Sequence, residues 1–169
     1  MAGPLTARRF GRPVFQVGYT KVAGSAGTYT AGATCLGGPY TMPRSGYLQS
    51  LSIYSTVATG ATGLLGLYDN SGAAGIPKVL LATTPSFIPV STGWQTVYPT
   101  TNPLVLQGAV IFISVLSITT DIHGVFDSLG VSFYFDNGTT ETVFPNPFVN
   151  NGAGSPFTND SISIYATFH

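Results

Sequence analysis

A two-residue rhythm runs through this chain, and no other period competes with it. From residue 161 to 168, Ile162, Ile164, Ala166 and Phe168 alternate with Ser161, Ser163, Tyr165 and Thr167. Successive side chains of an extended strand point to opposite faces, so such alternation marks a strand with one face in a core and the other near water. Residues 49–57 repeat the pattern, with Leu51, Ile53 and Val57 on one face and Ser50, Ser52, Tyr54 and Thr56 on the other. Residues 110–118 are more continuously apolar, as in a central strand covered on both faces. Residues 14–19, 64–68, 79–82, 95–98, 131–135 and 142–144 are further strand candidates, and 28–34 is a weaker one.

Turn-forming residues separate these runs. Asp69-Asn70-Ser71-Gly72, Asp136-Asn137-Gly138 and Asn150-Asn151-Gly152 tolerate positive φ. The second lies between 131–135 and 142–144 and predicts a hairpin. No segment keeps a helical period over the length of a helix. About nine short strands punctuated by turns predict an all-β fold, an antiparallel β-sandwich of jelly-roll type. The expected division is an N-terminal docking arm over residues 1–13 and the sandwich over 14–169.

Composition narrows the function. Only 7% of residues are charged, and Lys+Arg balance Asp+Glu at 6 each. A usual share is about 25%. With 44% hydrophobic residues the chain is no disordered tail. It also lacks the basic field that holds nucleic acid, and no nucleic-acid partner is expected. Cys35 has no partner for a disulfide. No apolar run of signal-peptide length follows the first arginines, so no secretory leader is expected. The stretch 104–120 reads as buried strands rather than a membrane span, because Gln107, Gly108, Ser114 and Ser117 interrupt it.

Charge is unevenly placed. Arg8, Arg9, Arg12, Lys21 and Arg44 give residues 1–50 a net +5. Lys78 against Asp69, Asp121, Asp127, Asp136, Glu141 and Asp160 gives the rest −5. Arg8, Arg9 and Arg12, with Phe10 and Phe15 as apolar anchors, make residues 1–13 a candidate arm for gripping carboxylates of a neighbouring subunit. The other reading is a solvated tail.

Catalytic chemistry has little to draw on. His123 could share a strand face with Asp121, but no nucleophile motif accompanies the pair, and a turn or rim histidine is the simpler reading. Cys35 reads as a small buried hydrophobe. No Cys/His spacing fits zinc, and the Asx residues at 69–71 and 136–137 are explained by turns without Ca²⁺. No phosphate loop is present. The chain is therefore expected to be no enzyme, with no cofactor and no metal.

A surface of Ser, Thr, Gly, Asn and Tyr in place of Lys and Glu suits one of two tasks. It can be buried among subunits, where charge is depleted. It can instead bind sugars, with Trp94, Tyr54 and Tyr98 as the candidate platform; the simpler reading of Trp94 is an aromatic of the core or sandwich edge.

Residues 46–54, Gly46-Tyr47-Leu48-Gln49-Ser50-Leu51-Ser52-Ile53-Tyr54, are followed by Gly66-Leu67-Tyr68-Asp69-Asn70, Gly75-Ile76-Pro77-Lys78-Val79-Leu80-Leu81-Ala82-Thr83, Gly93-Trp94-Gln95-Thr96-Val97 and the long run 110–118. This order resembles a jelly-roll module of phage virion proteins, capsid decoration (cement) or tail components. It is also similar to carbohydrate-binding-like modules of surface proteins. The resemblance implies a structural virion protein that stabilises the particle as a homo-oligomer, a trimer, against a major capsid or other virion protein. The alternative it implies is a carbohydrate-binding module for host or surface glycans, extracellular or on the cell surface.

Overall fold

A computed structural model describes residues 13–57, 60–73, 76–127, 133–136, 141–148 and 161–169. The elements in these residues are strands: β1 (Phe15–Gly18), β2 (Ser25–Tyr29), β3 (Thr34–Thr41), β4 (Gly46–Ser55), β5 (Gly63–Asp69), β6 (Leu80–Thr83), β7 (Gly93–Val97), β8 (Leu104–Val105), β9 (Val110–Ser117), β10 (Ile122–Asp127), β11 (Phe133–Asp136), β12 (Ser161–Ile162) and β13 (Ile164–Phe168). No described helix is long and apolar enough to cross a membrane.

The strands form three sheets. The first runs β1-β13-β4-β7, with β8 pairing the start of β4; the second runs β11-β3-β9-β5-β6; the third runs β12-β10-β2. Their ladders are antiparallel. Counting β1, β3, β4, β5, β6, β7, β9 and β13 as first to eighth, the two large sheets read 1-8-3-6 and 2-7-4-5. This interleaving is that of a jelly roll, the type expected from the number of short strands and the turns between them.

The core lies between the large sheets. Val17, Leu51, Ile53, Ile164, Ala166 and Phe168 from the first face Cys35, Leu65, Leu67, Ile111, Ile113 and Val115 from the second. The Val, Leu, Ile and Phe side chains among them contribute about 1.5–3 kcal/mol each by leaving water. The second sheet is covered on its other face too. Leu36, Tyr68, Phe112 and Leu116 pack there with Phe144 and Phe148. That double cover explains why β9 reads as an unbroken apolar run.

Four expectations need correction. Residues 142–144 form no strand, and β11 pairs β3, so the expected hairpin is absent. Phe144 serves instead as cover over the second sheet, a contact between distant segments that turn chemistry does not reveal. β4 ends at Ser55, so Val57 is exposed rather than on the Leu51 face. The weak run 28–34 is split between β2 and β3, with Gly32 at positive φ separating them. His123 lies within β10 rather than in a turn.

Of the expected arm, Arg8, Arg9, Phe10 and Arg12 lie outside the described residues. Phe15 packs within the sandwich: its ring stacks on Phe168 at 5.5 Å, and the Arg44 guanidinium sits 4.3 Å from its centroid.

Candidate functional site

The outer face of the first sheet is built by strand alternation. β4 turns Leu51 and Ile53 inward, which leaves Ser50, Ser52 and Tyr54 outward. Register then aligns Thr167 with Ser50, Tyr165 with Ser52, and Thr96 and Trp94 with Ser52 and Tyr54. Gln16 and Gly18 extend the rows on β1. These nine positions hold aromatics, hydroxyls, an amide and a glycine, with no Asp, Glu, Lys or Arg.

Trp94 organises the face. It stands directly opposite Tyr54, edge to face, at 5.6 Å and 84°. It also meets Tyr165 at 4.8 Å and 61°, although β7 and β13 flank β4 on opposite sides. Neighbouring strands are about 4.8 Å apart, so the indole and the phenol must lean toward each other over β4. They do so above Ser52, which is fully buried despite pointing outward. The Ser52 hydroxyl is satisfied there by Thr96 Oγ1 at 2.8 Å. The three rings remain half-exposed.

The borders of this cluster are pinned. Ser163 Oγ donates to the Lys21 carbonyl at 2.8 Å and accepts from the Ala23 amide at 2.9 Å, which holds residues 21–23 against the sheet. Gln95 Nε2 donates to the Ser91 carbonyl at 2.9 Å on the opposite side. The result is a surface whose nine central positions carry no charge, with Lys21 at one border, ring faces for C–H groups and hydroxyls for hydrogen bonds.

Sequence reasoning names Trp94 and Tyr54, and the fold brings them together. Tyr98 lies one residue beyond β7, is 68% exposed, and makes no ring contact among the described residues. Tyr165 was missed as a platform residue. Its place in the alternation marks it as outward-facing, but nothing in one sequence pairs β13 with β4.

The other candidates are spent on structure. His123 pairs with Thr28 in the β10–β2 ladder, and the Asp121 carboxylate accepts from the Ala31 amide at 2.9 Å. Asp69 Oδ1 accepts from the Ser71 amide, the Ser71 hydroxyl and the Val79 amide, as an Asx turn does. Cys35 is buried, and desolvation pushes its thiol far above the ordinary range. Among the described residues no group of three His, Cys, Asp or Glu side chains is placed to hold a metal ion. A cavity of about 250 Å³ opens at the far end of the sheet, lined by Pro13, Phe15, Arg44, Ser45 and His169.

No protein-family model matches this chain, and no curated protein does. Solved structures that share its fold include two of Cwp84. The clostridial cysteine protease Cwp84 after propeptide cleavage aligns over 84% of this chain and 37% of its own, with a TM-score of 0.55 and 13% identity. The cysteine protease and lectin-like domains of Cwp84, a surface layer associated protein of Clostridium difficile, align over 85% of this chain and 36% of their own, with a TM-score of 0.56 and 11% identity. The chain thus spans little more than a third of the length of those proteins, and at these identities the likeness is one of fold.

Proposed function

We propose that this chain is a non-enzymatic carbohydrate-recognition domain that binds neutral glycans at a cell surface on the outer face of the β1-β13-β4-β7 sheet. The observation that carries this reading is the Trp94 indole bridging Tyr54 and Tyr165 on a face of hydroxyls without charge. Apolar C–H faces of a pyranose stack on such rings, while its hydroxyls exchange hydrogen bonds with Thr96, Thr167 and Gln16. The fold adds support: an all-β chain aligns over 85% of itself with a protein that includes lectin-like domains and is surface-layer associated. The virion reading has less behind it. It rests on the sequence resemblance, and the arginines of its clamp lie outside the described residues.

A glycan array followed by affinity electrophoresis tests the proposal. The expected result is retention by at least one neutral glycan, lost in Trp94→Ala and unchanged between low and high salt, since no ion pair contributes. Retention by no glycan, together with a stable oligomer that Trp94→Ala disrupts, would overturn it in favour of the structural reading.

A further inference from the structure

The same face carries a second aromatic station at its other end. Across the ends of four strands, β1 approaches His169 through the Phe15–Phe168 pair, His169 and Tyr47 exchange backbone hydrogen bonds at 2.9 and 3.1 Å, and Tyr47 pairs with Leu104. The Tyr47 and His169 rings lie 6.1 Å apart. Val14, Tyr47, Leu104 and Leu106 are 58%, 41%, 48% and 61% exposed.

Simple alternation would put Tyr47 and Tyr54 on opposite faces, being seven positions apart. The register shift between Thr167 and Phe168 changes that: Thr167 pairs with Ser50 but Phe168 with Leu48. Gln49 is the extra residue of a β-bulge, and the parity beyond it is reversed. Leu48 therefore turns inward, fully buried, and Tyr47 turns outward on the Tyr54 side. At about 3.3 Å per residue the two stations are about 20 Å apart along β4. Between them Thr96 and Thr167 reach the surface, while Ser50 is buried in the same row and Ser52 lies beneath the first station. Beyond the second station opens the cavity with Arg44 and Ser45. Arg44 Nη2 donates to the Pro13 carbonyl at 2.8 Å, and a guanidinium has further N–H donors to offer.

We infer that the ligand is an extended neutral polysaccharide lying lengthwise along β4, held by Trp94, Tyr54 and Tyr165 at one end and by Tyr47 and His169 at the other. This rests on the glycan reading above and adds its chain length and direction. Two separated ring clusters joined by hydroxyl rows fit a polymer; a single terminal sugar would use only one of them.

The test uses the full chain, soluble neutral polysaccharides (a mixed-linkage β-glucan, a galactomannan and dextran) and their oligosaccharide ladders. Affinity should rise with oligomer length until both stations are spanned. Tyr47→Ala should weaken polymer binding about tenfold, the scale of one lost aromatic contact, and flatten the rise of affinity with oligomer length. Tyr47→Phe, which keeps the ring, should restore polymer binding. Tyr47 is exposed, so thermal unfolding of the variant should match the wild type. If Trp94→Ala abolishes polymer binding while Tyr47→Ala has no effect, the two-station inference falls and the glycan reading stands. If none of the polymers is retained and the array is also blank, both fall.

Discussion

Ser114 shows how a single buried residue departs from the apolar rule. It lies in β9 opposite Gly66, where a Cβ would come within 2.6 Å of the Ser114 hydroxyl and 2.9 Å of the Phe144 ring. The hydroxyl is fully buried and has no hydrogen-bond partner among the described residues. Its desolvation is uncompensated, so Ser114→Ala should be neutral or stabilising by up to about 1 kcal/mol, measured by urea unfolding. A loss of stability there would mean that the hydroxyl has a role this packing does not show. Cys35, Tyr29 and Tyr40 make a second case. Burial pushes all three acids up from their ordinary values of 9.0 for the thiol and 10.0 for the phenols. In the unfolded chain they lose their protons first, so above those values the unfolded state binds fewer protons than the native one. Their contribution is then fully present below about pH 9 and is lost as pH rises further. The thiol acts first, at about 1.4 kcal/mol per pH unit. Cys35→Ala should therefore flatten the fall in unfolding midpoint between about pH 9 and pH 10 and leave the phenol limb above it.

Among the elements, the segment 141–148 carries more weight than its lack of regular structure implies. Phe144 and Phe148 meet Tyr68 edge to face at 6.1 and 5.7 Å, the Tyr68 hydroxyl donates to the Pro145 carbonyl at 2.6 Å, and the Phe148 amide donates to the Lys78 carbonyl at 2.7 Å. This segment closes the second face of the β11-β3-β9-β5-β6 sheet. Phe148→Ala should cost about 3 kcal/mol in urea unfolding, the scale of a large-to-small change in a core. A cost near zero would mean that the sheet tolerates exposure of this face. The bulge in β4 matters equally for function. Strand periodicity identifies β4 correctly, yet a single extra residue at Gln49 decides which side Tyr47 serves. β3 was largely illegible, because Gly37, Gly38 and Pro39 break its apolar pattern where its register with β9 shifts. Glycine and proline are read as loop residues when no partner strand is in view.

At the scale of the whole molecule, the jelly-roll order brings the last strand, β13, between the first, β1, and β4, and so assembles the ring cluster from chain positions 54, 94 and 165. Recognition by that face predicts binding that tracks ring contacts and ignores ionic strength, which the Trp94 and Tyr47 variants separate. The all-β class, most strand positions, the inward and outward rows of β4 and β13, and the scarcity of charge are all legible in the sequence, because alternation and composition are local properties. The apposition of Tyr165 with Trp94 over Ser52, the shift in parity at Gln49 and the cover supplied by Phe144 and Phe148 are not. Each depends on which strand pairs with which, and in what register. Those choices are made by burying faces together across long stretches of chain, so only the tertiary structure decides them.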